Sequence, residues 1–212
     1  MEMLEKINTD GHRTISRPDH DVLKAVDSLL KATPAPRIAE IGVGIGATTL
    51  PMCELLKGRG EIHIFDFEES VTELANDLAD RGFGNVVPHG NTSRYWDSYH
   101  WSMHKLMLDP GYVGTFDLVY IDGAHTYLHD ALAFFMCDRL LKVGGKMLFD
   151  DYSWRFADSR WLRRGRSEYM TEEQEQAMQI KAFIDDLVKT HIGYECYLEN
   201  KGFTKVMSTH RL

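Results

Sequence analysis

With 212 residues, 43% of them hydrophobic and 26% charged, the chain carries enough apolar material for one substantial core, and a single domain over 1–212 is expected. It has no uncharged apolar run near the roughly 18 residues of a membrane span, and Met1-Glu2-Met3-Leu4-Glu5-Lys6 lacks the basic-then-apolar order of a secretion signal, so a cytoplasmic protein without a membrane partner is expected. The formal charge of −8 repels nucleic acid on average, and Cys53, Cys137 and Cys196, far apart in apolar surroundings, read as buried free thiols rather than a disulfide framework or a zinc cluster.

Residues 1–36 read as a leading helical segment. Pro18 stands where a first helical position falls, and Val22, Leu23, Val26, Leu29 and Leu30 form one apolar stripe that stops near Pro34-Ala35-Pro36. A strand over 37–41, a helix over 47–56, a strand over 61–67 and a helix over 70–81, with Val71, Leu74, Ala75 and Leu78 inward, make a βαβ unit. The alternation continues through a short strand near 86–87, a helix within 94–108, a strand over 116–121, a helix over 127–141 and a strand over 146–149. Such alternation builds a parallel sheet with helices on both faces. The ending differs. Thr171-Glu172-Glu173-Gln174 has the form of a capping box, and Ala177, Ile180, Ile184 and Leu187 carry that helix to about 190. Strands over 194–198 and 203–208 flank the turn Glu199-Asn200-Lys201-Gly202, which makes them an antiparallel hairpin. The predicted fold is α/β, doubly wound, with a mostly parallel seven-stranded, Rossmann-like sheet ending in that hairpin.

In Glu40-Ile41-Gly42-Val43-Gly44-Ile45-Gly46-Ala47-Thr48 the glycines fall at a strand-to-helix turn, where they let the backbone approach a ligand and aim amides at it. Gly42, Gly44 and Ala47 also satisfy the dinucleotide fingerprint, with Asp66 closing the next strand at a suitable distance, so on these residues alone an NAD-dependent oxidoreductase stays open. Two further segments, from Phe116 to His125 and from Leu141 to Asp151, put Asp122, Asp150 and Asp151 just past strand C-termini, the edge where open α/β sheets bind ligands. Three aspartates at one edge suit Mg²⁺, a hard cation that takes oxygen ligands. His125, whose imidazole titrates near neutrality, is the candidate base for an acceptor hydroxyl.

These residues resemble the class I S-adenosylmethionine-dependent methyltransferases and, within them, the metal-dependent O-methyltransferases related to catechol O-methyltransferase and to the sugar O-methyltransferases of antibiotic pathways. The resemblance rests on the glycine loop, the acid ending the second strand, the Gly144-Gly145 turn, the Asp150-Asp151 pair and the closing hairpin, and it covers nearly the whole chain. It implies S-adenosylmethionine with its methionine part against Gly42, Gly44 and Gly46, its carboxylate near Thr48 and its ammonium near Glu40. Asp66 then accepts from the ribose hydroxyls, and Gly90, Asn91 and Thr92 border the adenine, Asn91 standing where many relatives carry an acid. The resemblance also implies Mg²⁺, or another divalent cation, on Asp122, Asp150 and Asp151, with Asp122 facing both the cofactor and the reacting atoms. Catechol-type enzymes usually have asparagine as the third ligand, so the Asp-Asp pair leans toward the antibiotic-sugar type. His125 falls where catechol-type enzymes place a lysine, and Ala124 where some antibiotic-sugar relatives carry an aspartate.

Segment 153–170 contains Trp154, Arg155, Arg160, Trp161, Arg163, Arg164 and Arg166, a reversal of sign in an acidic chain. At this sheet edge it reads as a lid for an anionic or aromatic acceptor, with a solvated loop or a homo-oligomer contact as the alternative. Segment 11–19 is placed to close the other side. The expected activity is S-adenosylmethionine- and Mg²⁺-dependent O-methylation of a small molecule whose adjacent oxygens chelate the cation. The alternatives are the oxidoreductase and a methyltransferase-fold binding protein without catalysis.

Overall fold

The computed structural model describes residues 3–7, 16–159 and 166–209. Its strands are β1 (Arg37–Ile41), β2 (Glu61–Phe67), β3 (Val86–Asn91), β4 (Phe116–Ile121), β5 (Leu141–Phe149), β6 (Tyr194–Leu198) and β7 (Gly202–Lys205). Among the described residues they form one seven-stranded sheet in the order β3-β2-β1-β4-β5-β7-β6. All pairs from β3 to β5 are parallel, and β7 runs antiparallel to β5 and β6. The α/β fold ending in a hairpin is therefore the one expected. From β1 the chain winds outward to β3 and then returns to β4 and β5, so the strand order reverses between β1 and β4 and leaves a crevice at their C-terminal ends.

The helices are α1 (Met3–Lys6), α2 (His20–Leu30), α3 (Thr49–Leu56), α4 (Glu68–Asp80), α5 (Tyr99–Met107), α6 (Tyr127–Leu140), α7 (Glu172–Gln176) and α8 (Gln179–Phe183), the last running on into a π-helical turn over Ile184–Val188. Side chains alternate across each strand, so Val119 and Ile121 of β4 enter one core with Phe134, Phe149 and Phe183, while Leu118 and Tyr120 enter the opposite core with Leu4, Val22, Met52 and Leu74. Burial on both faces explains why β4 is an unbroken apolar run apart from Asp117.

Four expectations are corrected. The leading helix begins at His20, not at Pro18, because Asp19 caps it: Asp19 Oδ1 accepts from the amides of Asp21 (2.9 Å) and Val22 (3.0 Å). The strand expected near 86–87 runs on to Asn91, because Pro88, His89 and Gly90 stay extended beside Ile64, Phe65 and Asp66. The last helix does not run from Thr171 to 190. Its capping box forms, but the chain breaks at Ala177, where Gln179 donates to Gln174 O (2.9 Å) and accepts from Tyr127 N (2.9 Å), a side-chain tie to α6 that an unbroken helix forgoes. Cys53 and Cys137 are buried, but Cys196 is exposed, since β6 is the edge strand and has one neighbour. No helix among the described residues is long and apolar enough to cross a membrane.

Candidate active site

β1 delivers the chain to Gly42, whose φ of 85° lies in the left-handed region and whose missing Cβ would sit 2.0 Å from Asp122 O. A side chain here would prise the end of β1 from that of β4. Gly44, at φ 51°, would place a Cβ 3.8 Å from Ser16 Oγ, an ordinary contact, so its backbone angle rather than crowding favours glycine there. Gly46 turns the other way: a Cβ would meet Leu74 Cδ1 at 2.5 Å, so this glycine packs the loop onto α4 and does not line the cleft. Above the loop lies a cleft of about 540 Å³, with Glu40, Thr48, Asp66 and Asn91 toward one end and Asp122, His125, Asp150 and Asp151 toward the other.

The β1–β3 end is well satisfied. Asp66 Oδ2 accepts from Val43 N (3.0 Å) and Gly44 N (3.4 Å), and its Oδ1 from Phe67 N (2.7 Å), so the carboxylate is locked beside the loop with lone pairs to spare. Glu40 is 2% exposed and accepts from Thr49 Oγ1 at 2.7 Å. Burial pushes its carboxyl up to about 8, against the Thr49 hydrogen bond and with help from the Asp66 charge. Thr48 Oγ1 accepts from Asp19 N (3.1 Å), which leaves its proton to donate into the cleft. Asn91 donates through Nδ2 to Thr92 O (3.1 Å), whereas its Oδ1 is buried without a partner. Such an acceptor costs about 1–3 kcal/mol until a donor reaches it. Gly90 and Thr92 do not line the cleft. The Glu68 side chain lies over Gly90, and Thr92 turns outward to hydrogen-bond Asp97 Oδ2 through its amide (2.7 Å) and its hydroxyl (2.6 Å).

The β4–β5 end is crowded with like charge. His125 Nε2 lies 3.9 Å from Asp122 Oδ1 and its Nδ1 lies 3.4 Å from Asp151 Oδ2. One donor atom from each of Asp122, His125 and Asp151 falls within 4.8 Å of the other two, a spacing that fits one divalent ion with little adjustment. His125 and Asp151 both adopt left-handed backbone, at φ 56° and 57°, a conformation that costs a non-glycine residue about 1–2 kcal/mol. Burial holds the Asp122 carboxyl well above the usual carboxylate range, reinforced by Asp150, Asp151 and Glu40 and opposed by the hydrogen bond from Tyr120. Asp150 lines the same cleft and its charge acts on Asp122 and Asp151, but it is not part of this donor triangle, and its Oδ1 lies 4.0 Å from Lys201 Nζ.

Several neighbours escape sequence reasoning. Tyr120 OH donates to Asp122 Oδ2 (3.2 Å) and to Asp19 Oδ2 (3.4 Å), while Lys201, which reads in sequence only as a turn residue, reaches Asp19 Oδ2 at 2.6 Å. Tyr99 also lines the cleft, its hydroxyl buried without a partner. Period-2 counting along β4 could have placed Tyr120 beneath Asp122; nothing local to the sequence points to Lys201 or Tyr99. Of the expected lid, Arg160, Trp161, Arg163 and Arg164 lie outside the described residues, as do positions 11–15 of the N-terminal segment. Arg155 is described and is paired within its own loop, donating to both oxygens of Asp158 (2.9 and 3.0 Å).

A family model described as a methyltransferase domain matches residues 39–152, more than half of the 212-residue chain. The chain belongs to this methyltransferase family. That membership places the glycine loop among the class I S-adenosylmethionine-dependent enzymes and decides against the nicotinamide reading of the same glycines. Among solved structures the methyltransferase is similar to a protein assigned as a caffeoyl-CoA O-methyltransferase from Staphylococcus aureus, with a TM-score of 0.63 at 15% identity over 97% of this chain and 92% of that one. It is also similar to the O-methyltransferase TomG of Streptomyces achromogenes, involved in tomaymycin synthesis and solved with its cofactor SAM, with a TM-score of 0.59 at 18% identity over 98% and 91% of the two chains. At these identities the likeness establishes the fold. In sequence the chain is 29% identical over 101 residues to the ribosomal RNA small subunit methyltransferase A of a Burkholderia species, a match covering 45% of this chain and 35% of that protein.

Proposed function

We propose that the methyltransferase moves the methyl group of S-adenosylmethionine to a hydroxyl oxygen of a small molecule, and that a divalent cation at the β4–β5 end of the cleft assists. The observation that carries the reading is the convergence of Asp122, His125 and Asp151 in the same cleft as Glu40, Asp66 and the glycine loop. A volume of about 540 Å³ lies in the range of small-molecule sites.

In this reading the Glu40 carboxylate receives the cofactor's ammonium and the Thr48 hydroxyl donates to its carboxylate. Asp66, already oriented by two loop amides, accepts from the ribose hydroxyls, and the unpartnered Asn91 Oδ1 accepts from the adenine amino group. Gly90 and Thr92 serve the adenine only as backbone, given what covers the one and turns the other away. Asp122, Asp150 and Asp151, with His125 beside them, would hold the cation, assigned as Mg²⁺. When bound, such an ion lowers the pKa of an acceptor hydroxyl and orients it behind the methyl carbon. An acceptor with adjacent oxygens uses two coordination positions. An RNA acceptor fits less well, since its phosphates would approach three aspartates in a chain of net charge −8.

The test is turnover of a panel of catechols and vicinal diols with and without EDTA, alongside calorimetry of cofactor binding. Chelation is expected to abolish turnover, added Mg²⁺ or Mn²⁺ to restore it, and cofactor affinity to stay within about twofold. Asp66→Ala is expected to weaken cofactor binding more than about tenfold. Full turnover in EDTA removes the cation from the reading, and an unchanged Asp66→Ala affinity removes the cofactor pose.

A further inference from the structure

We infer that His125 is itself a ligand of the cation, so that the donor set is two carboxylates and one imidazole and the site prefers a first-row transition ion such as Mn²⁺ to Mg²⁺. The inference rests on the cation reading above and replaces the role of general base expected for His125.

Two observations carry it. First, both ring nitrogens of His125 face carboxylates, Nε2 toward Asp122 Oδ1 at 3.9 Å and Nδ1 toward Asp151 Oδ2 at 3.4 Å. One ring nitrogen can then bind the ion while the other stays turned to a carboxylate, the arrangement in which metal-bound histidines are usually held. Second, Asp150, the third acid of the expected ligand set, is not part of the closest donor group, although its charge acts on Asp122. Asp150 Oδ1 lies 4.0 Å from Lys201 Nζ, an ammonium anchored by Asp19 at 2.6 Å and 3.6 Å from Asp21. The compact triangle is thus Asp122, His125 and Asp151, with all three donor atoms within 4.8 Å of one another. An octahedral ion with bonds of about 2.1 Å holds adjacent donors about 3 Å apart and opposite donors about 4.2 Å apart. The triangle, with its donors up to 4.8 Å apart, is wider than adjacent donors of such an ion, so binding draws the three side chains inward. Trp154, its ring centroid 5.3 Å from that of His125, limits the swing of the imidazole away from this position.

The donor set then selects the ion. Mg²⁺ favours oxygen donors and gives up its waters reluctantly, whereas imidazole suits first-row transition ions, whose affinities for mixed nitrogen and oxygen sites rise along the series from Mn²⁺. Because Mn²⁺ is paramagnetic, a ligand nitrogen can be read directly.

The experiment uses the full chain with Mn²⁺ and Mg²⁺ as probes. Calorimetry is expected to give a Kd for Mn²⁺ at least about tenfold below that for Mg²⁺. Pulsed electron paramagnetic resonance of the Mn²⁺-loaded protein is expected to show modulation from a directly bound ¹⁴N. In His125→Ala that modulation disappears and the preference for Mn²⁺ falls to within about threefold, with a circular dichroism melt confirming that the variant is folded. Mn²⁺ bound without ¹⁴N modulation in the parent protein overturns the inference and leaves the oxygen-donor site standing, a result that needs no variant. Failure of both ions to bind at millimolar concentration overturns the cation reading and the inference with it.

Discussion

The two edges of the sheet both carry aspartates and treat them in opposite ways. At the edge where β1, β4 and β5 begin, charge is matched at close range. Lys205, 3% exposed, donates to Asp138 Oδ1 (2.9 Å), Asp138 O (2.5 Å) and Leu141 O (3.0 Å), and Tyr194 OH donates to the same carboxylate at 2.8 Å. Nearby, Asp117 accepts from Arg37 N (2.8 Å) and pairs with Lys142, and Arg37 pairs with Glu61 at 2.7 Å. At the edge where the same strands end, Asp122, Asp150 and Asp151 have as ion-pair partners, among the described residues, only His125 and Lys201 at 3.4 to 4.0 Å. Charge that is saturated holds the fold together. Charge left unsaturated in a cleft stores repulsion that a cation can relieve, and this is why the second edge is read as the functional one.

Breaking the saturated edge has the largest expected effect. Asp138→Ala leaves the Lys205 ammonium buried with only carbonyl partners, and urea unfolding is expected to show a loss of about 3–5 kcal/mol while cofactor affinity per folded molecule stays unchanged. A loss below about 1 kcal/mol would mean that the network is no better than a surface pair and that the two edges do not differ in kind.

A second, intermediate effect separates the two ends of the cleft by pH. The folded state raises the Glu40 carboxyl to about 8 from an ordinary 4.5, so between those values the native protein keeps a proton that the unfolded chain has released. Stability at this position is fully present below pH 4.5, declines as pH rises through the window and is lost above about 8. Glu40→Gln removes the titration and still accepts from the Thr49 hydroxyl. Its melting temperature is expected to match that of the parent near pH 4.5 and to exceed it by several degrees at pH 9. A gap independent of pH refutes the buried, protonated Glu40. In the same proposal the cofactor's ammonium draws that proton off, so calorimetry near pH 7 in buffers of different ionisation enthalpy should register proton release on cofactor binding in the parent and none in the variant.

Most of the fold was legible because its signals are local. The strands 37–41, 61–67 and 116–121 stand in the structure with the boundaries their apolar runs gave, since a strand buried on both faces has little choice of residue, and the edge strand 194–198 keeps its expected bounds as well. The candidate site was legible at strand ends, where Asp66, Asp122 and Asp151 had to lie once the sheet was parallel. What escaped depended on partners distant in sequence. Lys201 meets Asp19 across 182 positions, and no local pattern marks a turn lysine as the neighbour of an acid that caps a helix. That the Glu68 side chain lies over Gly90 depends on a contact across the β2–β3 connection that no local pattern marks. The break at Ala177 likewise follows from Gln179 finding Tyr127 across 52 positions.

The smallest expected effect sharpens the comparison most, because it has the opposite sign. Asp122 is surrounded by Asp150, Asp151 and Glu40, and its one hydrogen bond among these neighbours, from Tyr120 OH at 3.2 Å, can be kept by an amide oxygen. Asp122→Asn removes a negative charge from a half-buried site while keeping its shape, so in metal-free buffer the variant is expected to be more stable than the parent by about 1 kcal/mol. The sign follows from linkage. A carboxyl raised above its unfolded value destabilises the fold where it is forced to ionise, so the gain should be near zero at pH 4 and grow toward pH 8. In the proposed reading the same substitution takes a charged ligand from the cation, and Mn²⁺ affinity should fall by more than about tenfold. Thermal melts with and without Mn²⁺ then cross: the variant melts higher without the ion, and the parent melts higher once millimolar ion stabilises it by mass action. If Asp122→Asn melts lower in both buffers, the carboxylate is structural, and the two edges of the sheet are alike after all.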